Sequence, residues 1–146
     1  MSSEKDLKQH LDRLCKSQKL AVLATQTGQQ PYCNLVAVTP LQGLRHILFV
    51  TPRSTAKYRN LTGNAHVSLL LDNRANTPHD FEGAVAVTVL GIASEIDDAE
   101  TESMKRRHAE RHPQIKSFIE SPDCALFSVT VTRYVIVDHF QNVSVL

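Results

Sequence analysis

The longest strand-like run of the chain, residues 84–96 (AVAVTVLGIASEI), constrains the fold more than any other feature. β-Branched and aliphatic residues dominate it and favour extended structure. It also exceeds the usual strand length of about five or six residues. Gly91 interrupts the run, and a glycine inside a strand predicts a β-bulge or the close approach of another backbone. Long strands that bend in this way are typical of small barrels, so we expect a barrel here.

Five other segments have the composition of strands and are separated by turn or loop signals. They are residues 20–25, 31–39, 46–51, 65–71 and 125–139. Short turns at residues 27–30 and at Gln42-Gly43 connect the first three, which predicts an antiparallel meander. The segment at 65–71 (AHVSLLL) is apolar enough to be a strand buried on both faces.

Helical patterns lie around these strands. Ser3 and Asp6 form a capping pair ahead of an amphipathic segment that runs to Ser17. Acidic residues at 97–98 and basic residues at 105–111 fit the two ends of another helix, and Pro113 begins a further helical piece. We therefore predict a mainly β fold with peripheral helices (α+β), a six-stranded antiparallel β-barrel in one domain over residues 1–146.

Composition narrows the classes of function. The 16 Lys+Arg residues nearly balance 15 Asp+Glu residues, so neither a nucleic-acid-binding surface nor a membrane-attracting surface is indicated. No leader pattern and no long apolar run are present, and we expect a cytoplasmic protein. Cys15, Cys33 and Cys124 form no CxxC pair, which argues against a disulfide framework or a zinc site and favours buried or half-buried thiols.

Residues 51–57 (TPRSTAK) carry the best candidate for chemistry, a basic and hydroxyl-rich stretch after the third strand. Ser54 or Thr55 can cap a helix that Gly63 closes. The free N–H groups of that helix start, the hydroxyls, Arg53 and Lys57 together make a phosphate-sized anion site. The alternative is an ordinary capped surface helix with solvated basic residues.

Taken in order, these pieces resemble the pyridoxamine 5′-phosphate oxidase-like family of FMN-binding split β-barrels. The resemblance spans about residues 14–140. It is carried by PYCNLVAV (31–38), by FVT followed by Thr55-Ala56-Lys57, and by NAHVSLL (64–70). It implies FMN at a homodimer interface, with the phosphate held after the third strand and the ring edge against the second and third strands.

The resemblance also implies roles for single residues. Lys57 and Thr55 match the family's phosphate-binding lysine and the hydroxyl before it. Ala56 stands where the family often has an arginine, and we infer that Arg53 supplies the second cation. The positions that the resemblance places at the flavin ring are Asn34, Leu35, Val36, Val50 and Thr51.

Leu35, Val36 and Val50 have an alternative reading as barrel core, because apolar strand residues are usually buried for packing. Asn34 differs from them, because an amide inside an apolar strand needs a hydrogen-bond partner, from the flavin or from adjacent backbone.

The departures from the family pattern matter for substrate. The oxidases that act on pyridoxine phosphate have an arginine and a lysine where this chain has Asn34 and Thr39, and a glutamine near Ala86. They also end in an Arg-x-His clamp, whereas Arg133 and His139 here are six residues apart. We therefore expect no oxidation of the vitamin phosphate.

Histidines and a thiol offer weaker candidates. His108 and His112 are spaced to share a helix face, but neighbouring arginines crowd them, so we expect a solvated face and no metal site. Cys33 has no neighbouring histidine or cation and is expected to be a small core residue.

The pairs His79-Asp80 and Asp138-His139 can approach a partner subunit's flavin, and their alternatives are a loop hydrogen bond and a strand-end contact. Strand-like alternation in residues 134–146 is interrupted at 138–142. We hypothesise that this tail crosses to a partner and brings His139 or Phe140 near the other flavin. The alternative is a frayed end.

The leading hypothesis for function is an FMN-dependent oxidoreductase with a small-molecule substrate, because the protein needs to supply only a phosphate anchor, a ring slot and a shaped cavity. The alternative is a non-catalytic flavin- or haem-binding carrier or sensor, or a haem-degrading relative. Haem and deazaflavin remain alternative cofactors, since related split barrels use both.

Overall fold

The structure, a computed structural model, describes residues 3–146. Strands and helices cover most of this range. The strands are β1 (Leu20–Thr27), β2 (Gln30–Ala37), β3 (Thr39–Pro40), β4 (His46–Pro52), β5 (His66–Asp72), β6 (Ala86–Glu95), β7 (Cys124–Asp138) and β8 (Asn142–Val145). The helices are α1 (Glu4–Ser17), α2 (Ala56–Gly63), α3 (Asp80–Gly83), α4 (Thr101–Arg111) and α5 (Lys116–Glu120).

One antiparallel sheet contains all of these strands, in the order β2-β1-β5-β6-β7-β4-β3, with β8 added to β7. The predicted mainly β, antiparallel fold is confirmed. The expected number of six strands was too low, because residues 31–39 divide into β2 and the short β3 and because the C-terminal residues form β8. The sheet thus has seven strands in its main path and one beyond it.

The barrel is split between β2 and β4. The chain runs from β2 into β3 through Val38, and β3 pairs with only two residues of β4. Beyond this short ladder β2 and β4 lie near each other without pairing. We call this unpaired boundary the seam. Helix α2 follows β4 directly and packs on both β1 and β4 beside the seam.

The bulge expected at Gly91 is present. The β6–β7 register shifts between Leu90, which faces Arg133, and Gly91, which faces Val131. A Cβ atom at Gly91 would lie 2.6 Å from the carbonyl oxygen of Thr130, so the position requires a glycine for close backbone approach. The bulge bends the two longest strands, as a curled sheet requires.

The barrel core comes from alternate positions of the strands. Ala21, Leu23 and Thr25 of β1 are buried, whereas the residues between them are partly exposed. Helix α1 closes one side of the core with its leucines, and the predicted capping box of Ser3 and Asp6 begins it.

The strand buried on both faces is β4 and not the segment at 65–71, for which the sequence predicted it. In β5 buried and more exposed positions alternate. In β4, Ile47 and Phe49 face the barrel core, whereas Leu48 and Val50 pack in a second cluster with Ala109 of α4 and Ile119 of α5. Helices cover the outer face of β4 and leave the outer face of β5 exposed. The composition of residues 65–71 does not specify which strand the helices cover.

The predicted solvated face of His108 and His112 is wrong. His108 is 0% exposed, and its Nδ1 lies 2.6 Å from the Thr39 hydroxyl, while the Nε2 of His112 lies 2.8 Å from the Val38 carbonyl oxygen. Helix α4 turns this face toward β3, and Arg111 reaches backbone carbonyls instead of solvent. Among residues 3–146, no group of three His, Cys, Asp or Glu side chains is arranged to hold a metal ion.

The tail folds back on its own sheet. Residues 142–145 pair with β7, and Tyr134 and Leu146 exchange two backbone hydrogen bonds. The polar interruption is the hairpin turn, where His139 and Phe140 have positive φ. The segment is therefore neither frayed nor extended away from the barrel. Contact of the exposed turn with a partner stays a prediction.

Two smaller expectations also have outcomes. Cys15 and Cys124 are buried as expected, but Cys33 is exposed because its position on β2 faces out of the barrel. Asp80 accepts hydrogen bonds from the backbone of residues 75–77, which fits the loop alternative. Across residues 3–146, no helix is long and apolar enough to span a bilayer.

The bulge gives a first prediction. Gly91→Ala should lower the free energy of unfolding by about 1–3 kcal/mol, because the added methyl group would clash with β7 backbone and with Val129. Urea unfolding followed by circular dichroism measures the change. Ser94→Ala, on an exposed position of the same strand, should change stability by less than about 0.5 kcal/mol. Equal effects of the two substitutions would contradict the close approach at Gly91.

The buried histidines predict a pH dependence. Burial lowers the pKa of His108 from 6.5 to about 3 and also lowers the pKa of His112. The unfolded chain binds these protons near pH 6.5. Below that pH the unfolded state therefore gains protons that the folded state does not, and stability falls by up to about 1.4 kcal/mol per pH unit for each histidine.

Urea unfolding between pH 5 and 8 checks this dependence. His108→Gln should flatten the fall in stability below pH 6.5, whereas His46→Gln, at an exposed position, should leave it unchanged. A wild-type protein that is equally stable at pH 5 and pH 7 would exclude the proposed cost of protonating the buried pair.

Candidate functional site

The start of α2 is built by the end of β4. Pro52 ends the strand, and Thr55 is the N-cap of the helix, which selects Thr55 over Ser54. The Thr55 hydroxyl accepts from the Tyr58 N–H at 3.1 Å, donates to the Pro52 carbonyl oxygen at 2.9 Å, and lies 2.9 Å from the hydroxyl of Thr51. Thr55 is therefore occupied in holding the loop shape.

Thr51 has a similar structural position. Its side chain is fully buried and contacts the Thr55 hydroxyl. Ser54 is exposed beside them, and its hydroxyl makes no hydrogen bond to residues 3–146. Of the three hydroxyls at this helix start, the one of Ser54 is free to bind a ligand.

Lys57 is a half-buried cation. Burial lowers its pKa, because the charged ammonium is partly removed from water. Within the described chain its ammonium group forms no salt bridge and no hydrogen bond. The N–H groups of Ala56 and Lys57 lie in the first turn of α2, where an α-helix offers no internal acceptor. Lys57 and this turn together present positive charge without a protein anion.

Arg53 is engaged elsewhere. Its guanidinium lies 2.9 Å from a carboxylate oxygen of Glu95 and donates to the Pro122 carbonyl oxygen at 2.8 Å. Tyr58 donates its hydroxyl to the other oxygen of Glu95. Glu95 already neutralises part of the charge that Arg53 was predicted to offer as a second phosphate cation, in an ion pair that is partly exposed and thus weak.

Sequence reasoning did not find Glu95 or Tyr58 at this site. Glu95 is 42 residues from Arg53 along the chain, and no local pattern indicates that the end of β6 approaches the loop after β4. Tyr58 lies inside the helical pattern of α2 and carries no charge that would attract attention.

The predicted residues of β2 divide between the two faces of the sheet. Asn34 and Val36 pair with the buried Leu23 and Ala21 and thus face the barrel interior. Leu35 pairs with Val22 and faces outward with 64% of its surface exposed. Val36 takes the core position that was its alternative, whereas Leu35 does not.

Asn34 has an unmet need for a partner. Its Oδ1 atom is buried and receives no hydrogen bond. Such acceptors are rare in folded proteins and cost stability unless a ligand, an ion or a water molecule satisfies them. Asn34 lies on the strand that borders the seam, and Val50 on the opposite strand packs away from it in the second cluster.

The structure thus divides the predicted residues between the helix start and the two strands that border the seam, while Leu35 faces outward from the sheet and Val50 packs away from the seam. Lys57, Ser54 and Asn34 have free polar groups. Thr51, Thr55 and Arg53 are bound within the protein, and Val36 and Val50 are core residues. This region can hold an anion at α2 and a hydrogen-bond donor at Asn34.

The outward face of the sheet carries a row of apolar residues that crosses six strands. Each residue pairs with the next: Leu35, Val22, Leu70, Thr88, Val135 and Val145. Thr88 is the one polar member. Leu35, Leu70 and Val145 are 64%, 37% and 58% exposed. We call this set the apolar row. An exposed apolar strip of this length is typical of a surface that another protein covers.

Comparison with known proteins identifies the family. The profile of the pyridoxamine 5′-phosphate oxidase family matches residues 7–138, which is most of the chain. No curated protein sequence matches the chain significantly.

Solved structures share the fold. A haem-binding protein from Mycobacterium smegmatis superposes with a TM-score of 0.79 at 19% identity, covering 91% of this chain and 54% of its own. An FAD-binding protein from Mesorhizobium loti has a TM-score of 0.71 at 17% identity, covering 88% and 90%. A putative pyridoxamine 5′-phosphate oxidase from Listeria innocua has a TM-score of 0.70 at 19% identity, covering 90% and 98%.

At these identities the structural likeness establishes the fold alone, and the chain spans about half the length of the Mycobacterium smegmatis protein. The profile match extends from α1 to the end of β7, and the strands that it covers form the split barrel. The chain therefore belongs to the pyridoxamine 5′-phosphate oxidase family.

Proposed function

We propose that this protein binds FMN at the seam as a homodimer and acts as an oxidoreductase on a small molecule. The observation that carries the proposal is the half-buried Lys57 ammonium, which has no anionic partner among residues 3–146 and lies in the first turn of α2. A phosphate dianion fits this position better than a neutral ligand does, because it supplies the missing charge.

Three groups would hold the phosphate. The Lys57 ammonium offers charge, the N–H groups at the start of α2 offer directed donors, and the Ser54 hydroxyl is free. Thr51 and Thr55 hold the loop through their mutual contact, so that these donors keep a common direction. Their role is therefore positioning and not direct phosphate contact.

Asn34 supports a flavin mononucleotide over a free phosphate. Its buried Oδ1 needs a donor, and FMN carries N–H and ribityl O–H groups that can supply one. The residue lies on β2, the strand on the other side of the seam from Thr51. One ligand with both an anion and neutral donors meets the needs of Lys57 and Asn34 together.

Bound FMN would supply the electron transfer, so the protein needs no acid–base triad of its own. The residues of this chain would fix the phosphate at Lys57 and the start of α2 and orient the ring through Asn34. The chain lacks the residues expected for pyridoxine phosphate at the positions of Asn34 and Thr39, and Thr39 is committed to a buried bond with His108. The substrate is therefore a different small molecule.

The homodimer is proposed from the apolar row. A symmetric dimer buries the same surface of both copies, and a strip across six strands offers a self-complementary apolar face. Phe81 and Phe140 form a separate exposed aromatic pair, since both are more than 60% exposed and their rings lie 5.7 Å apart. The turn with His139 and Phe140 is then available to the partner's cofactor site.

The competing function is a carrier or sensor that holds flavin or haem without turnover, or a haem-degrading protein. Its support is the fold shared with the haem-binding and FAD-binding structures. Visible spectroscopy of the purified protein separates a flavin from a haem, and a turnover assay with reduced nicotinamides then separates an enzyme from a carrier. A Soret band, or a flavin that no donor reduces, would contradict the proposal.

The phosphate anchor gives a direct test. Lys57→Met should weaken FMN binding about ten- to a hundredfold, because a charge-assisted bond of roughly 1.5–3 kcal/mol is lost. The affinity for riboflavin should change little, because riboflavin lacks the phosphate. Arg45→Met removes the same charge from an exposed position ahead of β4, away from the start of α2, and serves as the control. Fluorescence titration of the wild type and the two variants with FMN and with riboflavin measures the six affinities, and equal binding of FMN and riboflavin by the wild type would refute the anchor.

The dimer is tested on the apolar row. Leu35→Glu should convert the dimer into a folded monomer, because it places a charge on the most exposed residue of the apolar row while disturbing no core contact. Sedimentation velocity gives the mass. Phe118→Glu changes another exposed apolar residue, on α5 away from the row, and should stay dimeric. A wild-type protein that sediments as a monomer would exclude the proposed dimer.

A further inference from the structure

A cavity lies away from the seam. It has a volume of about 660 Å³ and is enclosed by α1, the β3–β4 connection, α4 and the C-terminal end of the sheet. None of the nine residues proposed for the flavin site lines it. Its size falls in the range of roughly 300–1,000 Å³ that is usual for small-molecule sites.

The floor of this cavity is apolar. Leu11, Cys15 and Tyr134 are 3%, 1% and 7% exposed, and Leu41, Leu44 and Leu146 add partly buried side chains. The hydroxyl of Tyr134 donates to the Leu44 carbonyl oxygen and is thus committed to the protein. The floor therefore favours a hydrocarbon group over a polar one.

The rim is cationic. Four basic side chains and one carboxylate line the cavity. Lys8 is paired with Glu4 at 3.0 Å, and Lys16 with Asp12 at 2.8 Å. Arg107 and Arg111 have no carboxylate within salt-bridge distance among the described residues. These two arginines therefore form no ion pair with the described residues, although Asp12 and the last residue, Leu146, lie in the same cavity wall.

Backbone carbonyl groups hold the guanidinium of Arg111 in place. Its Nε and Nη2 groups donate to backbone carbonyl oxygens of Val38, Cys15, Lys16 and Gln18, which fixes the guanidinium between α4 and the end of α1. Its Nη1 group makes no hydrogen bond to residues 3–146. The side chain is half-buried and always charged, so an anion at Nη1 would stabilise it.

The loop at the mouth adds an independent observation. Gly43 and Leu44 both have positive φ, 81° and 56°. Leucine rarely adopts this conformation, which costs of the order of 1–3 kcal/mol and is concentrated at ligand-binding and other functional segments. The bond from Tyr134 holds this strained turn over the cavity.

We propose that this cavity binds a small monocarboxylate with an apolar body, its carboxylate at the Nη1 group of Arg111 and beside Arg107, and its hydrocarbon part on the leucine floor. The cationic rim favours an anion. A compact inorganic anion would bind less well than a carboxylate with an apolar body, because it has no hydrocarbon to contact Leu11 and Leu44. The fixed guanidinium is preorganised, so little side-chain entropy is lost on binding.

Isothermal titration of the FMN-loaded protein with octanoate, 1-octanol and octylammonium tests the site. Octanoate should bind about tenfold more tightly than 1-octanol, and octylammonium should not bind, since the three probes have similar hydrocarbon chains and head groups that are anionic, neutral and cationic. Equal affinities for the three would overturn the proposal. Release of the flavin by octanoate would also overturn it, because it would place the carboxylate at α2.

A matched pair of variants locates the charge. Arg107→Glu should weaken octanoate at least fivefold, whereas Arg106→Glu, an exposed neighbour on α4 that does not line the cavity, should leave affinity unchanged. Both variants keep the carbonyl contacts of Arg111 and so should fold. An equal loss of octanoate affinity in the two variants would show that only the general surface charge matters, and it would contradict the assigned site.

Methyl-resolved NMR of the wild-type protein gives a second reading that needs no variant. Octanoate should shift the signals of Leu11, Leu41, Leu44 and Leu146, which lie in the cavity wall. Shifts confined to Leu35 and Leu70 would place the hydrocarbon on the apolar row instead and would overturn the proposal.

Discussion

The bent pairing of β6 with β7 is the constraint on which the rest of the structure depends. Strand β7 pairs with β6 along most of its length. Its first half also pairs with β4, and its last four residues pair with β8. The bulge at Gly91 bends β6 and β7 where their backbones come closest. This bend allows β7 to pair with all three strands. This curl brings β4 back toward β2 and creates the seam.

The second consequence of the curl is a rigid base for the proposed anion site. Strand β4 is packed on both faces, against the barrel core and against α4 and α5. Thr51 is thereby fixed, and its contact with Thr55 fixes the start of α2. Lys57 is half-buried on this base, where desolvation is unfavourable for an ammonium without a counter-ion. A bound phosphate would relieve that cost, so ligand binding and stability are coupled at this point.

Much of the fold was predictable because its signals are local. Strand runs, the capping box at Ser3 and the glycine of the bulge each depend on residues that are close in the sequence. The sequence selected the stretch after β4 as the candidate anion site, and that assignment stays a prediction. Which of its groups are free was not predictable, because Arg53 meets Glu95 from 42 residues away and Thr55 is used by its own loop.

The sequence by itself predicted six strand segments, the capped starts of α1 and α2, and a basic, hydroxyl-rich stretch after β4, since backbone propensities and side-chain periodicity act over a few residues. It did not predict β3, β8 or α3, and it assigned residues 97–98 to the start of α4, which begins at Thr101. The tertiary structure alone decided which faces are buried. It covered β4 and left β5 open, placed His108 and His112 inside, and folded the tail into a hairpin. The physical reason is that burial depends on which distant element packs against a face, and a residue's neighbours in the sequence do not specify that element.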